Sequence, residues 1–298
     1  MLEGKAIVIT GSGGGIGAAC AKGTARLGAS VIVNDVDAEA AEQTVREIRD
    51  EGYTAVACQA DITDWDASGR LISSCIENFG RIDGLVNNAG LFHLNKMWDF
   101  DPAVARALVD VNVLGTMYCG VHAARAMIPQ GSGSIVNVVS GAHVGMESTG
   151  IYGATKGAVA SLVYAWAVEL KEKGIRVNAL SPLAANTRMA RMNSEYRGDD
   201  PESKLQQPEA NAPVVEYLLS DRAEDVTGQI VRIDSGELQL YTHPALLQPP
   251  IVRDSWTCAD VAHAFDSQLK ARMVGCGLMG MEHGPVPLTS GYTTRVEA

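Results

Sequence analysis

Two hydrophobic periods alternate along the chain. Short runs rich in Val and Ile fall at residues 5–10, 30–34, 54–59, 82–86, 134–139, 175–180 and 227–234. A run without a polar face suits a strand covered by helices on both sides. Between these runs lie longer stretches whose apolar residues recur at three- and four-residue spacing, the helical period. Strand and helix therefore alternate as far as residue 234, which predicts an α/β fold. Its expected core is a doubly wound parallel sheet of about seven strands with helices on both faces. One more helical stripe, at 256–270, carries Trp256, Val261, Ala264, Phe265 and Leu269 beyond the last strand. A stripe that apolar is expected to be buried against its own domain or, as favoured here, a neighbouring subunit.

The first strand run ends in Gly11-Ser-Gly-Gly-Gly15-Ile16-Gly17, and an Ala-rich helix follows at once. That order gives the glycine cluster its meaning. Glycines allow a tight turn and close backbone approach, and the N–H groups of a helix N-terminus attract a pyrophosphate. A Rossmann-type arrangement is the expected result. Asp35 ends the second strand, where a carboxylate accepts hydrogen bonds from ribose hydroxyls and repels a 2′-phosphate. The glycine loop has no Arg or Lys to welcome that phosphate, so NAD is the expected cofactor. Asp37 suits the cap of the following helix better than Asp35 does. Asp61, followed by Ile62, is placed to meet the adenine edge, with Asp64 capping the next helix. Asn87-Asn88-Ala89-Gly90 closes the fourth strand with small residues against which a cofactor can lie.

Residues 137–156 hold the candidate chemistry. Ser140 stands at the end of the fifth strand, where open α/β sheets present their ligands. Tyr152 and Lys156 are four residues apart on a helix entered at about Ile151, so they share one face. A phenol with a reference pKa of about 10 shuttles protons poorly at neutral pH. A nearby ammonium favours the phenolate, which is expected to bring Tyr152 toward the useful range. Ser140 can hydrogen-bond a substrate oxygen as its charge changes. Tyr-x-x-x-Lys alone is common on exposed helix faces, and only the surrounding strand order gives it weight. Asn112 lies inside the helical stretch 101–127, read as one or two helices, where Asn is mildly unfavourable. It is either solvated or back-bonded to its own helix, or it marks a kink that frees a carbonyl.

A formal net charge of −11 over 298 residues argues against non-specific binding to nucleic acid or anionic membranes. No apolar stretch reads as long enough to span a bilayer and no signal-peptide pattern precedes the first strand, so a cytoplasmic location is expected. The six cysteines are scattered, which suggests free and mostly buried thiols. No metal site is expected.

With these residues assembled, the chain resembles the short-chain dehydrogenase/reductase family over roughly residues 2–240. Thr10-Gly11-x-x-x-Gly15-x-Gly17 resembles its cofactor loop, and Asn87-Asn88-Ala89-Gly90 its sheet-stabilising motif. Asn112, Ser140, Tyr152 and Lys156 fall where its catalytic tetrad is expected. The resemblance implies Tyr152 as acid–base and Ser140 as the group positioning the substrate oxygen. Lys156 would lower the Tyr152 pKa and hold the nicotinamide ribose, and Asn112 would maintain a relay water. Cofactor contacts would come from Gly11, Gly15, Ile16, Gly17, Asp35, Asp61, Ile62, Asn88, Ala89, Gly90, Tyr152, Lys156, Pro182 and Thr187. It implies hydride transfer between NAD and a secondary alcohol or ketone, in a homotetramer or homodimer. The loop from Ser140 to Tyr152 is one residue shorter than the commonest family spacing, and Leu183 replaces the usual Gly after Pro182.

The expected organisation is a catalytic domain over 1–240, with a lid at 183–207, and an extension over 241–298 docked on the core or on a neighbouring subunit. That extension is loosely similar to tails of actinobacterial-type members linked to steroid or acyl-thioester oxidation. The leading expectation is an NAD-dependent dehydrogenase for a moderately large apolar alcohol or ketone, steroid- or terpenoid-like. A 3-hydroxyacyl-thioester dehydrogenase is the alternative, with Arg188, Arg191 and Arg197 as candidate phosphate grips. A non-catalytic dinucleotide sensor on the same fold is the alternative from another class.

Overall fold

A computed structural model describes residues 1–182, 206–234, 236–244, 246 and 249–273. The Val/Ile runs form β1 (Ala6–Ile9), β2 (Ser30–Asp35), β3 (Ala55–Gln59), β4 (Gly84–Asn87), β5 (Gly133–Val138), β6 (Ile175–Pro182) and β7 (Ile230–Asp234). An eighth strand, β8 (Glu237–Leu240), completes one sheet of order β3-β2-β1-β4-β5-β6-β7-β8. The pairing is parallel from β3 through to β7. Strand β8 instead runs antiparallel to β7, with Asp234 opposite Glu237 and Val231 opposite Leu240. The expectation of about seven parallel strands thus needs one addition. All four β8 residues are exposed, so the edge strand has no core-facing pattern to betray it. The readable signal is the turn, where Gly236 takes φ +107°.

Alternation along the strands sends side chains to both faces. Ile7 and Ile9 pack with α1 (Gly15–Arg26), α2 (Ala38–Asp50) and α7 (Ala212–Leu219), through residues such as Cys20, Val45, Ile48 and Leu218. On the other face Val8, Leu85 and Ile135 pack with α3 (Trp65–Phe79) and α5 (Thr116–Gln130), while α6 (Gly150–Leu170) sits over Val139, Ala179 and Ile230. The chain crosses over between β3 and β4, so β1 and β4 lie side by side at the sheet's centre. There the connections leave toward opposite faces and open the crevice that a ligand enters.

Helix α4 (Pro102–Val109) begins at Asp101, whose carboxylate accepts from the N–H groups of Ala103 at 2.8 Å and Val104 at 3.4 Å. A π-helical turn over Asp110–Gly115 joins it to α5 without a break. The continuous helix Pro102–Gln130 is, among the described residues, long and apolar enough to pass for a membrane span by length and composition, which corrects the expectation of none. Cys119, Ala123 and Met127 are buried on the sheet, so its apolar face has a partner inside the protein. Cys20 and Cys75 are also buried free thiols, Cys58 is half-buried and Cys258 exposed; Cys276 lies outside the described residues.

The chain divides into two compact units, Met1–Tyr241 and Thr242–Ala298. In the second, α8 (Cys258–Ala264) starts two residues later than the apolar stripe predicts. Thr257 and Asp260 form a reciprocal cap: Thr257 Oγ1 accepts from the Asp260 N–H at 3.2 Å, and Asp260 Oδ2 accepts from the Thr257 N–H at 3.0 Å. The Thr-x-x-Asp spacing was the local signal for that start. Of the stripe only Ala264 is buried; Trp256, Val261 and Phe265 stay about two-fifths exposed. With Pro249, Pro250 and Ile251 they line an apolar hollow of about 530 Å³.

Candidate active site

The crevice is built first from the ends of β1 and β4. Thr10 Oγ1 accepts hydrogen bonds from the N–H groups of Asn88 at 3.0 Å and Ala89 at 3.1 Å. Asn88 Nδ2 returns two, to the carbonyls of Thr10 at 3.0 Å and Gly11 at 2.8 Å. The turn that follows uses φ +60° at Gly11 and +56° at Gly15, values that favour glycine. Helix α1 has Gly14 as its N-cap, with no side chain capping it and no acidic residue in its first turn. Its leading N–H groups are left for an anion to take.

Gly17 carries the closest packing in this turn. A Cβ there would collide with the Gly11 carbonyl and Asn88 Nδ2, and would stand 2.9 Å from Ser12 Cα. Two of these atoms are backbone, and Asn88 Nδ2 is tied by its hydrogen bonds to the Thr10 and Gly11 carbonyls. Gly17→Ala is therefore expected to cost about 1–3 kcal/mol by overpacking. Thermal melting of the variant checks this, and an unchanged melting temperature would contradict it.

Asp35 sits half-buried at the β2 end, its Oδ2 accepting from the Gly13 N–H and its Oδ1 from the Asp37 N–H, both at 3.1 Å. Capping of α2 falls to Asp37, which accepts from Glu39 N–H at 3.0 Å and Ala40 N–H at 3.2 Å. Asp61 is exposed and engaged by Thr63, through its N–H at 2.9 Å and its hydroxyl at 2.8 Å. Ile62 is buried beside Gly115, and Asp64 caps α3 through the Ala67 N–H at 2.6 Å. Pro182 ends β6; Thr187, Leu183 and residues 183–205 of the expected lid lie outside the described residues, with Arg188, Arg191 and Arg197 among them.

The second half of the crevice comes from α6 and the π-helical turn. Asn112 lies within that turn and is 1% exposed. Its Oδ1 accepts from the Leu91 N–H at 2.7 Å, while Nδ2 donates to the Leu91 carbonyl and to Thr155 Oγ1, each at 3.0 Å. Thr155 Oγ1 in turn donates to the Tyr152 carbonyl at 2.7 Å. The expected kink is present as a π turn, a form often found at functional sites. The Asn112 carbonyl accepts from Thr116 Oγ1 at 2.8 Å, which leaves its second lone pair. The Asn112 side chain joins the loop after β4 to α6.

Ser140 follows β5 in extended backbone, φ −159°, and its Oγ accepts from the Ala142 N–H at 3.2 Å. Tyr152 is 6% exposed, its ring edge-on to Phe92 with centroids 4.7 Å apart. Lys156 Nζ lies 5.9 Å from the centre of that ring and donates to the Val138 carbonyl at 2.8 Å. Here the structure corrects the expected electrostatics. Burial pushes the Tyr152 phenol up to about 12, with a Ser140 hydrogen bond pulling the other way. Burial also pulls Lys156 down to about 8. Desolvation is the largest cause of both shifts, because both groups are almost wholly removed from water.

Thr155, Phe92, His143 and Tyr241 belong to the same neighbourhood and were not singled out by the sequence. Thr155 was findable, since i+3 from Tyr152 places it on an adjoining helix face. The others meet the site only through space.

A profile described as short chain dehydrogenase matches residues 5–198. The chain belongs to the short-chain dehydrogenase family. It is 38% identical over 240 residues to the cis-4-hydroxycyclohexanecarboxylate dehydrogenase of Sinomonas cyclohexanicum, covering 78% of this chain and 96% of the relative. Among solved structures, a short chain dehydrogenase from Mycobacterium avium superposes with TM-score 0.79 at 30% identity, covering 90% of this chain and 95% of that one. A hydroxysteroid dehydrogenase from Escherichia coli gives TM-score 0.71 at 34% identity, over 79% and 97% of the two chains. As a short-chain dehydrogenase, the protein is an oxidoreductase for small molecules of alcohol or ketone type, working with a nicotinamide dinucleotide. The uncapped α1 N-terminus and open space beside Gly14 fit the phosphates of such a cofactor.

Proposed function

We propose that this short-chain dehydrogenase interconverts a secondary alcohol and its ketone with NAD, on a moderately large apolar substrate of steroid- or terpenoid-like build. One observation carries the reading: Ser140 and Lys156 both approach Tyr152, and Lys156 Nζ and Asn112 Oδ1 both lie beside Gly90, just after β4. The ring alcohol in the name of the Sinomonas relative and the steroid in that of the Escherichia neighbour support the substrate class. When bound, NAD supplies hydride transfer at the substrate carbon. The Tyr152 phenol moves the proton at the substrate oxygen, and Ser140 Oγ hydrogen-bonds that oxygen as its charge changes. Lys156 provides the cation beside Tyr152, and Phe92 shields the phenol from water. Asn112 keeps the β4 loop and the start of α6 in register. Residues 1–240 form the catalytic domain of a homodimer or homotetramer in this reading, and 241–298 are an extension of it.

Asp35 is the basis for NAD over NADP, since its carboxylate repels a 2′-phosphate. A panel of ring alcohols, steroids, terpenoid alcohols and acyl thioesters, followed by NADH or NADPH absorbance, tests the proposal. Turnover of ring alcohols with NAD preferred is the expected result, and Asp35→Ala should shrink the NAD-to-NADP ratio of kcat/KM. Wild-type preference for NADP would overturn the role given to Asp35; turnover confined to acyl thioesters would overturn the substrate class.

A further inference from the structure

Ser140 is held from a direction that neither strand β5 nor helix α6 supplies. Its carbonyl oxygen accepts two hydrogen bonds from His143, one from the backbone N–H at 3.1 Å and one from ring Nδ1 at 2.5 Å. A carbonyl can only accept, so the imidazole carries its proton on Nδ1. The backbone bond closes the short helical turn Gly141–Val144; the ring bond is an additional restraint on the same oxygen. Burial lowers the His143 pKa below its ordinary value, which leaves the ring neutral at pH 7.

The ring is itself braced. It packs against Tyr241, with centroids 4.7 Å apart and planes inclined by 56°. Tyr241 is anchored through its N–H to the Ile230 carbonyl at 3.0 Å, and its hydroxyl lies 3.4 Å from Ser181 Oγ. Its ring packs on the cluster of Val139, Val159, Val163 and Ile230. A chain of contacts therefore runs from the sheet through Tyr241 and His143 to the Ser140 backbone.

We infer that His143, braced by Tyr241, is a positioning residue that fixes the Ser140 backbone so that the Ser140 hydroxyl meets the Tyr152 phenol and the substrate oxygen. The inference rests on the reading of Ser140 and Tyr152 as the reacting pair. Misplacement by 1 Å can cost about 10²-fold, and a serine that can turn its hydroxyl recovers part of this, so a loss of about tenfold in kcat is expected.

The test compares His143→Leu, His143→Asn and His143→Gln, and repeats His143→Leu in a Ser140→Ala background, with cyclohexanol, cis-4-hydroxycyclohexanecarboxylate and NAD as probes. Asn places an amide N–H close to where Nδ1 stands, whereas Gln reaches the Nε2 position. His143→Leu should lower kcat about tenfold with the KM for NAD unchanged, and His143→Asn should recover most of the loss. In the Ser140→Ala background the Leu substitution should have no further effect, the signature of action through one partner. Equal losses in both backgrounds, or no loss in either, would overturn the inference. If His143→Leu does not fold, Asn active with Gln impaired supports it, and equal activity of the two overturns it. Independently of turnover, imidazole ¹⁵N shifts of the wild type should show the Nδ1–H tautomer; an Nε2–H tautomer overturns the geometry. Normal turnover by Tyr152→Phe would sink the underlying reading instead, a result separable from all of these.

Discussion

Tyr152→Phe is expected to lower turnover by about 10²–10⁴-fold or more while leaving dinucleotide affinity close to that of the wild type. The substitution keeps the ring, its edge-on contact with Phe92 and its place in the small cluster with Leu108 and Ala142. What it removes is the proton. Because burial pushes the phenol up to about 12, Tyr152 is protonated throughout the neutral range, the form that the proposed ketone reduction requires. Alcohol oxidation needs the opposite proton movement and should gain as pH rises. Steady-state kinetics in both directions, with dinucleotide binding followed by fluorescence, checks the prediction. Near-normal kcat in the Phe variant would sink the mechanism.

Lys156→Met should lose activity and yet not lose stability at neutral pH. Turnover is expected to fall by about 10²-fold or more, with weaker NAD binding, since the ammonium is assigned to both Tyr152 and the cofactor. Stability follows a different logic. The folded-state pKa of Lys156 is about 8, below its ordinary 10.5, because the charged form is cut off from water. At about 1.4 kcal/mol per pKa unit, burying that charge costs on the order of 3 kcal/mol. Removing the ammonium relieves this cost and leaves the Val138 carbonyl without its donor, a loss of about 1–3 kcal/mol. The two nearly cancel at pH 7. Their pH dependence does not. Below pH 8 the lysine is charged whether folded or unfolded, and the penalty is complete. Between about 8 and 10.5 the folded state releases its proton first, so the wild type gains stability relative to the Met variant as pH rises. Denaturation midpoints of both proteins at pH 7 and pH 10 measure the difference. A gap that does not move toward the wild type at high pH would contradict the buried-ammonium argument.

Much of the crevice was legible in the sequence, because its rules are local. The Val/Ile runs and the glycine turn specify strand, turn and helix through neighbours within a few residues. Asp37 and Asp64 cap helices through N–H groups two or three positions on. The spacing of Tyr152 and Lys156 places them on one helix face by geometry alone. Asn112 advertised an irregularity because an amide inside a helix is disfavoured, and a π turn is there.

Tertiary structure decided the rest, for a common reason: the deciding partners are distant in sequence. Strand β8 exists because β7 offers an edge, although none of its own residues is buried. The Asn112 side chain is committed by Leu91 and Thr155, 21 and 43 residues away. His143 finds Tyr241 across nearly one hundred residues, with no pattern in the chain to join them. The electrostatic balance is the clearest case. Spacing put an ammonium near a phenol and so suggested a lowered Tyr152 pKa. The fold buried both groups and tied Lys156 to Val138, and desolvation, a property of the whole surrounding packing, reversed the sign.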